Sequence, residues 1–297
     1  MKRIRKNIGL VLFLITMVFM GSAVGQTKVQ VLTKTQDGHE KWTPGMKLAI
    51  NGENAVIHCE SHPGNSITYE IKIIAKHADK ETAENDLKKM KWISGRQGKT
   101  LFMRNYIELA AGDARPVSSL KVIYYIKIPE NCPLTINNYF GEIKVENTKS
   151  TVQIISEFAG IELINTKGEI SVESKFGDIS GKLIDGQIEI KSTRSNIHLE
   201  KAAGTIIIDA MLAEINLESF SNLEVLNLEA DKSEISIHAG NKFRYALNLE
   251  NTDFEKPVWM IFDPPDKNEN IRKVNFIELP EYPLIQIKQN IGTLEIN

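Results

Sequence analysis

An aliphatic residue recurs every nine positions in the middle of this chain, and this spacing constrains the fold more than any other feature. The first series comprises Ile143, Val152, Ile161, Ile170, Ile179, Ile188, Ile197, Ile206 and Ile215, then, after a slip of two residues, Leu226 and Ile235. A second apolar residue follows each of them two positions later, with Gly181 as the one exception. Side chains two apart lie on the same face of a β-strand, so each unit predicts a short strand with an inward-facing pair.

Small or polar residues separate these strands. Those before the apolar pairs are Gly141, Gly168, Gly177, Gly186, Ser195, Gly204, Ala213 and Ser233, and those after them include Asn147, Ser156, Asn165, Ser174, Ser192 and Ser219. Glycine allows the positive φ that a tight corner needs, and Ser or Asn can bond the backbone of a turn. The units are therefore joined by tight corners.

Nine residues are too few for a coil that encloses a core, whereas eighteen allow two strands and two corners. Alternate units also differ in composition, because Phe140, Phe158 and Phe176 occur in one set and Lys149 and Lys167 at the equivalent positions of the other. We therefore expect an all-β fold: a single-stack β-solenoid of nine-residue units, two units (18 residues) per coil.

The flanking regions have a different pattern. Residues 26–138 are predicted to form a β-rich region, with alternating segments at 67–75, 100–109 and 119–128 and one helix at about 79–91. Asp79 is placed to cap this helix, and Ala83, Leu87 and Met90 form its apolar face. The repeats occupy 139–240. Residues 241–297 lose the nine-residue phase and are predicted to form a C-terminal cap over the exposed strand edge.

Residues 1–25 have the pattern of a cleaved signal peptide: Lys2, Arg3, Arg5 and Lys6, an uncharged apolar run, and small residues at Ala23 and Gly25. The alternative is a retained transmembrane anchor. We expect export to the periplasm, cell surface or exterior. Loss of the four cations would take the net charge from −2 to −6, and no basic cluster remains that could bind nucleic acid.

The segment IKIPENCPLTINNYFGEIKVEN, residues 126–147, and the units beginning at Gly168 and Gly177 resemble a bacterial family, the putative adhesin domain. Its members are exported and have a β-solenoid of repeated Gly-Asp/Glu-Ile-x-Val units, and most are of unknown function. The resemblance covers roughly residues 45–240. It implies no catalytic or binding residues.

We predict no metal site. His58, Cys59 and His62 are the most metal-like cluster, but His58 and Cys59 would lie on opposite faces of a strand, and zinc needs three or four converging ligands. The turn acids Glu142, Glu169, Asp178, Glu214 and Glu234 occur singly, whereas calcium needs six to eight oxygens. We expect these acids to be solvated.

Two further features leave alternatives open. Cys59 and Cys132 form a disulfide or remain two buried thiols. The ladder of Phe140, Phe158 and Phe176 is interpreted as a buried, stacked corner, because phenylalanine lacks the polar group that Tyr and Trp bring to binding sites. The alternative is an exposed strip on which sugars stack.

No nucleophile elbow, phosphate loop or catalytic triad is present in the sequence. We therefore expect a non-enzymatic, adhesin-like interaction module without a cofactor, whose partner is an unidentified envelope protein or glycan. The alternatives are a β-helix enzyme that acts on polysaccharides, which would need carboxylates converging in one groove, and a periplasmic scaffold or sensor with a dedicated partner.

Overall fold

The computed structural model describes residues 29–239, 246–251, 272–275 and 283–296. The N-terminal elements are β1 (Gln30–Lys41), β2 (Lys47–His62), β3 (Ser66–His77), α1 (Lys80–Lys89), β4 (Met90–Gln97), β5 (Thr100–Ile107) and β6 (Ser119–Pro129). The central strands are β7 (Leu134–Glu146), β8 (Val152–Ile164), β9 (Lys167–Lys175), β10 (Ile179–Lys182), β11 (Asp185–Thr193) and β12 (Ile197–Met211). The remaining strands are β13 (Glu214–Asp231), β14 (Glu234–His238), β15 (Ala246–Asn251), β16 (Arg272–Asn275), β17 (Leu284–Gln289) and β18 (Leu294–Ile296).

Two series of paired strands enclose the core. The first runs through β4, β5, the first parts of β2, β7 and β8, then β9, β11 and the second part of β12. The second runs through β1, β3, β6, the second parts of β2, β7 and β8, then β10 and the first part of β12. From β7 to β12 the partners are parallel and eighteen residues apart, as in Ile143, Ile161 and Ile179.

The predicted single-stack β-solenoid is wrong as a fold class. Five parallel strands close into a barrel, since β8 pairs with β9, β9 with β11, β11 with β12, β12 with β10 and β10 again with β8. The other strands lie outside this ring. The ring closes because β8 and β12 each continue through a corner and pair with different neighbours on either side. Apolar alternation does not reveal whether a strand ends at a corner or passes through it.

The inward orientation of the repeated apolar pairs is confirmed, because all of these side chains are buried. They belong to one hydrophobic cluster that extends from Leu48 to Ile296. Ile184, which is fully buried, fills the space left at Gly181. The two-residue slip in the sequence is absorbed by register shifts where β12 pairs with β13, near Ala202 and Gly204.

The N-terminal region contains the predicted strands and helix. Asp79 caps α1 by accepting a 2.7 Å hydrogen bond from the Thr82 N–H, and Ala83 is buried. The carboxylate of Asp86 is also buried and accepts 2.9 Å hydrogen bonds from the backbone N–H groups of Val117 and Ser118. The helix thereby fixes the end of the segment that leads into β6.

The domain boundary predicted at residues 138 and 139 falls inside β7. Of the predicted cap, β17 and β18 continue the two series by pairing in parallel with β13 and β14. The predicted signal peptide, residues 1–25, lies outside the described residues. Within the described ranges, the structure has no helix with the length and apolar character required to cross a bilayer.

Candidate functional site

The corner where the chain passes from the first series of strands to the second carries a row of side chains with an unusual composition. The residues at this corner, each with a φ between 50° and 63°, are Asn54, Phe140, Phe158, Phe176, Arg194, Leu212 and Lys232. The opposite corner has the same backbone conformation at Asn147, Asn165, Leu183 and Lys201. The left-handed conformation is thus a property of the architecture that several residue types adopt. The positive φ predicted for glycine is also present, at Gly141, Gly168, Gly186 and Gly204.

Glycine has a further role beside the phenylalanine corner. A Cβ added to Gly177 would lie 2.1 Å from the carbonyl oxygen of Ala159 on the neighbouring strand. The lack of a side chain therefore lets adjacent corners approach closely, while Phe176 takes the left-handed conformation.

Three phenylalanines at this corner form a continuous stack, which we call the aromatic ridge (Phe140, Phe158 and Phe176). The ring centroids of Phe140 and Phe158 are 4.9 Å apart, as are those of Phe158 and Phe176, with interplanar angles of 17° and 7°. Tyr139 meets Phe140 edge to face at 4.5 Å. At the other end the Arg194 guanidinium lies 5.6 Å from the Phe176 ring centroid.

The aromatic ridge is exposed, so the prediction that this corner is buried is wrong although the predicted stacking is present. Phe140, Phe158 and Phe176 retain 45%, 37% and 42% of their accessible surface. The rings point away from the core because each residue occupies the outward turn of a corner, whereas the inward positions hold small side chains. An exposed apolar strip of this kind is typical of an interaction surface.

Buried hydroxyl groups support the corner from inside. Ser174 Oγ donates a 2.8 Å hydrogen bond to the carbonyl oxygen of Gly177, and Ser195 Oγ accepts a 3.1 Å bond from the Gly177 N–H. Ser156 and Ser192 make equivalent bonds, each of 3.3–3.4 Å, to the carbonyls of Ala159 and Ser195. The prediction that serines bond the turn backbone is confirmed here, and the result is a fixed corner that holds the rings in register.

A row of acids runs beside the ridge, and we call it the acidic rail: Glu142, Asp178, Glu214 and Glu234. Each lies two residues after a left-handed residue of the same corner, namely Phe140, Phe176, Leu212 and Lys232. All four acidic side chains are exposed. Asn196 links two of these positions, because its N–H donates to Asp178 Oδ1 at 3.1 Å and its Oδ1 accepts from the Glu214 N–H at 3.0 Å. In the sequence these acids occur singly in the turns. The eighteen-residue register was the signal that places them in one row.

A groove borders the other side of the ridge. It has a volume of about 260 Å³ and is lined by Tyr139, Ile155, Glu157, Glu173 and Lys175, among others. Ile155 is 44% exposed. The apolar surface of the ridge therefore continues onto the neighbouring strand face.

The structure separates the metal-like cluster. Cys59 points into the core, while His58 lies outside and stacks on Tyr125 with a centroid distance of 5.2 Å. His62 uses its two ring nitrogens within a local turn, one 2.8 Å from the Ser66 carbonyl and one accepting from the Gly64 N–H. Among the residues described, no group of three or more His, Cys, Asp or Glu side chains is placed to hold a metal ion.

Cys59 and Cys132 are both buried and free in the structure. Burial, together with the neighbouring Cys132, raises the pKa of the Cys59 thiol well above its usual range. Burial also raises the pKa of Cys132 to about 11. Both groups are therefore protonated, weakly nucleophilic thiols that pack as small apolar side chains.

No protein-family model matches the chain, and no curated protein matches it. Among solved structures, a putative adhesin from Bacteroides fragilis is 12% identical over 89% of this chain and 97% of its own, with a TM-score of 0.42. A putative lipid binding protein from Parabacteroides distasonis is 10% identical over 88% and 96%, with a TM-score of 0.37. A putative cell adhesion protein from Clostridium sporogenes is 13% identical over 89% and 99%, with a TM-score of 0.28. These values leave only a coarse similarity to bacterial proteins with such names, and no family is established by it.

Proposed function

We propose that this chain is an exported, non-enzymatic interaction module that contacts a partner in the cell envelope or at the cell surface through the aromatic ridge. The observation that carries the proposal is the choice of side chain at the corner. The left-handed conformation favours glycine and asparagine, and asparagine is used at Asn54 in the same row and at Asn147 and Asn165 opposite. Asn, Arg, Leu and Lys adopt this conformation elsewhere in the row, so the corner does not require phenylalanine. Three consecutive phenylalanines that stay exposed form an apolar strip, which is typical of an interaction surface.

The arrangement of the acids supports a binding role over hydrolysis of polysaccharides. A glycosidase holds two carboxylates on either side of the scissile bond. Here the acidic rail follows the outside of a corner, with its members in one row. The adhesin-like character and the export are parts of the proposal, the second supported by the leader pattern of residues 1–25.

Sedimentation with isolated envelopes of the source organism tests the proposal. Phe158→Asn keeps a residue suited to the corner and removes the central ring. Leu183→Asn is the matched control, because Leu183 is 43% exposed and has a φ of 56° at the opposite corner. We expect Phe158→Asn to reduce envelope binding by about tenfold or more, as for a central interface residue, and Leu183→Asn to leave it unchanged. Equal binding by both variants would show that the ridge is not the contact surface.

A further inference from the structure

The exposed part of the aromatic ridge consists of ring edges. Both faces of Phe158 are covered by its two ring neighbours, and Phe176 lies between Phe158 and the Arg194 guanidinium. A sugar ring binds an aromatic side chain by stacking on its face, and the faces of Phe158 and Phe176 are occupied. The edges instead offer a narrow apolar strip, against which aliphatic side chains can pack.

The spacing of the ridge matches one type of secondary structure. Successive rings are 4.9 Å apart. Residues i and i+7 of an α-helix are about 10.5 Å apart along the axis, and residue i+3 or i+4 lies between them on the same face. This distance is close to twice the separation of successive rings. Same-side residues of an extended strand repeat every ~6.8 Å and fall out of step with the rings at once. A helix lying along the ridge can therefore place one apolar side chain against each ring.

The acidic rail adds a requirement for charge on one side of that helix. Glu142, Asp178 and Glu214 belong to every second strand along this corner. Their spacing along the ridge is therefore about two strand separations, or ~9.6 Å. Basic residues repeated every seven positions of a helix have nearly the same spacing of ~10.5 Å. The partner's charge should thus lie on the flank that faces the rail.

We infer that the ridge and rail together bind an amphipathic α-helix whose apolar stripe is flanked on one side by Lys or Arg. The inference rests on the proposed function and adds the class of partner. The ridge supplies the apolar contact, and the rail fixes which way the helix is rotated about its own axis. Leu212, 40% exposed in the same corner row, extends the apolar contact beyond Arg194.

A designed peptide tests this inference with the full chain. The probe is a helix of three heptads with Leu at positions a and d and Lys at position e, labelled for fluorescence anisotropy; its control carries Glu in place of each Lys. We expect the Lys peptide to bind and the Glu peptide not to bind. Binding should weaken when ionic strength rises from about 0.05 M to about 0.5 M, because exposed charges are screened.

Variants assign the binding to the two surfaces. Phe158→Asn, or Phe176→Asn if the first variant does not fold, should weaken peptide binding by about tenfold or more. Asp178→Asn should weaken it by a few fold at low salt only, and Leu183→Asn should have no effect. Circular dichroism of each variant establishes that it is folded.

Three outcomes would overturn the inference: equal affinity for the Lys and Glu peptides, no loss in a folded ridge variant, or ridge-dependent binding to phosphatidylglycerol or phosphatidylcholine vesicles with none to the peptide. The envelope assay separates this inference from the proposed function. If Phe158→Asn reduces envelope binding while the wild-type chain does not bind the peptide, the inference of a helical partner is wrong. The proposal that the ridge is the contact surface is then still supported. If envelope binding is unchanged in a folded Phe158→Asn, the proposed function itself is wrong.

Discussion

At the aromatic corner, the backbone conformation and the side chain that adopts it have opposing effects on stability. A left-handed conformation costs a residue with a Cβ roughly 1–2 kcal/mol. Stacking offsets this cost, because an aromatic pair contributes about 0.5–1.5 kcal/mol beyond the area that it buries. Phe158 takes part in two such pairs. The stack therefore explains how the conformation is tolerated, but not why the rings are exposed.

We predict that Phe158→Asn lowers the free energy of unfolding by about 1 kcal/mol, because the lost stacking is partly compensated by relief of backbone strain. Ile161→Ala, in the same strand but at a position only 3% exposed, should cost about 2–5 kcal/mol. Denaturant unfolding of both variants provides the comparison. A loss for Phe158→Asn as large as that for Ile161→Ala would mean that the ring has a core role.

Asp86 is a buried charge whose partners lie on the segment before β6. Burial by itself would raise the pKa of Asp86, but hydrogen bonds from Ser118 and Val117 and the contact with Lys89 outweigh it and hold the pKa below its usual 3.8. A carboxylate with a depressed pKa stabilises the fold above its unfolded pKa, and this contribution is lost as pH falls through the folded value.

We predict that Asp86→Ala lowers the unfolding free energy at pH 7 by about 1–3 kcal/mol, since two backbone donors lose their acceptor. The difference from wild type should shrink as the pH falls below about 4. Chemical denaturation between pH 7 and acid pH measures it. Asp113→Ala is the control, because Asp113 is an exposed acceptor for the Ala110 N–H; a pH-independent loss in Asp86→Ala would contradict the account.

At the scale of the elements, the register explains which features were predictable from the sequence. The apolar pairs, such as Ile161 and Leu163, predicted their own burial because period-two alternation translates directly into strand faces. Ring closure was not predictable, since the buried positions shift by one residue at the corner in the same way whether the strand continues, as in β8, or ends, as in β9. The exposure of the ridge was missed because phenylalanine lacks the polar group that Tyr and Trp bring to binding sites. Its outward orientation depends on backbone angles that composition does not encode.

A pair of deletions tests this register. Removal of residues 157–174 keeps the remaining strand partners eighteen residues apart and brings Phe176 beside Phe140. Ser156 then lies three residues before Gly177, the position that Ser174 occupies in the wild-type chain, where its hydroxyl bonds the Gly177 carbonyl. Removal of residues 157–165 places Lys167 in the phenylalanine row and breaks both the stack and the serine bonds. We predict that the shorter deletion unfolds at the lower temperature in circular dichroism. A higher unfolding temperature for the shorter deletion would contradict the eighteen-residue register of the strands.

At the scale of the whole molecule, the sheet extends on either side of a closed parallel ring, and one corner of it carries the ridge and rail. This geometry presents a straight apolar strip with charge along one side. A surface of this shape suits contact with an elongated partner, and burial of a central aromatic residue gives such contacts most of their affinity.

A second prediction at this scale concerns the proposed export. We predict that the protein isolated from its native host begins near Gln26, because residues 1–25 have a basic start, an apolar run and small residues before the cleavage point. Mass spectrometry of the intact protein measures its start. A chain that retains residues 1–25 would instead indicate an anchored protein.

Site-specific photocrosslinking in the native host tests the central claim most directly. A benzophenone side chain replaces Phe158 in one variant and Leu183 in the other, two exposed positions with the same backbone conformation on opposite corners. If the aromatic ridge is the contact surface, illumination yields a discrete adduct at position 158 and none at position 183. An adduct at position 183 with none at position 158 would contradict the account.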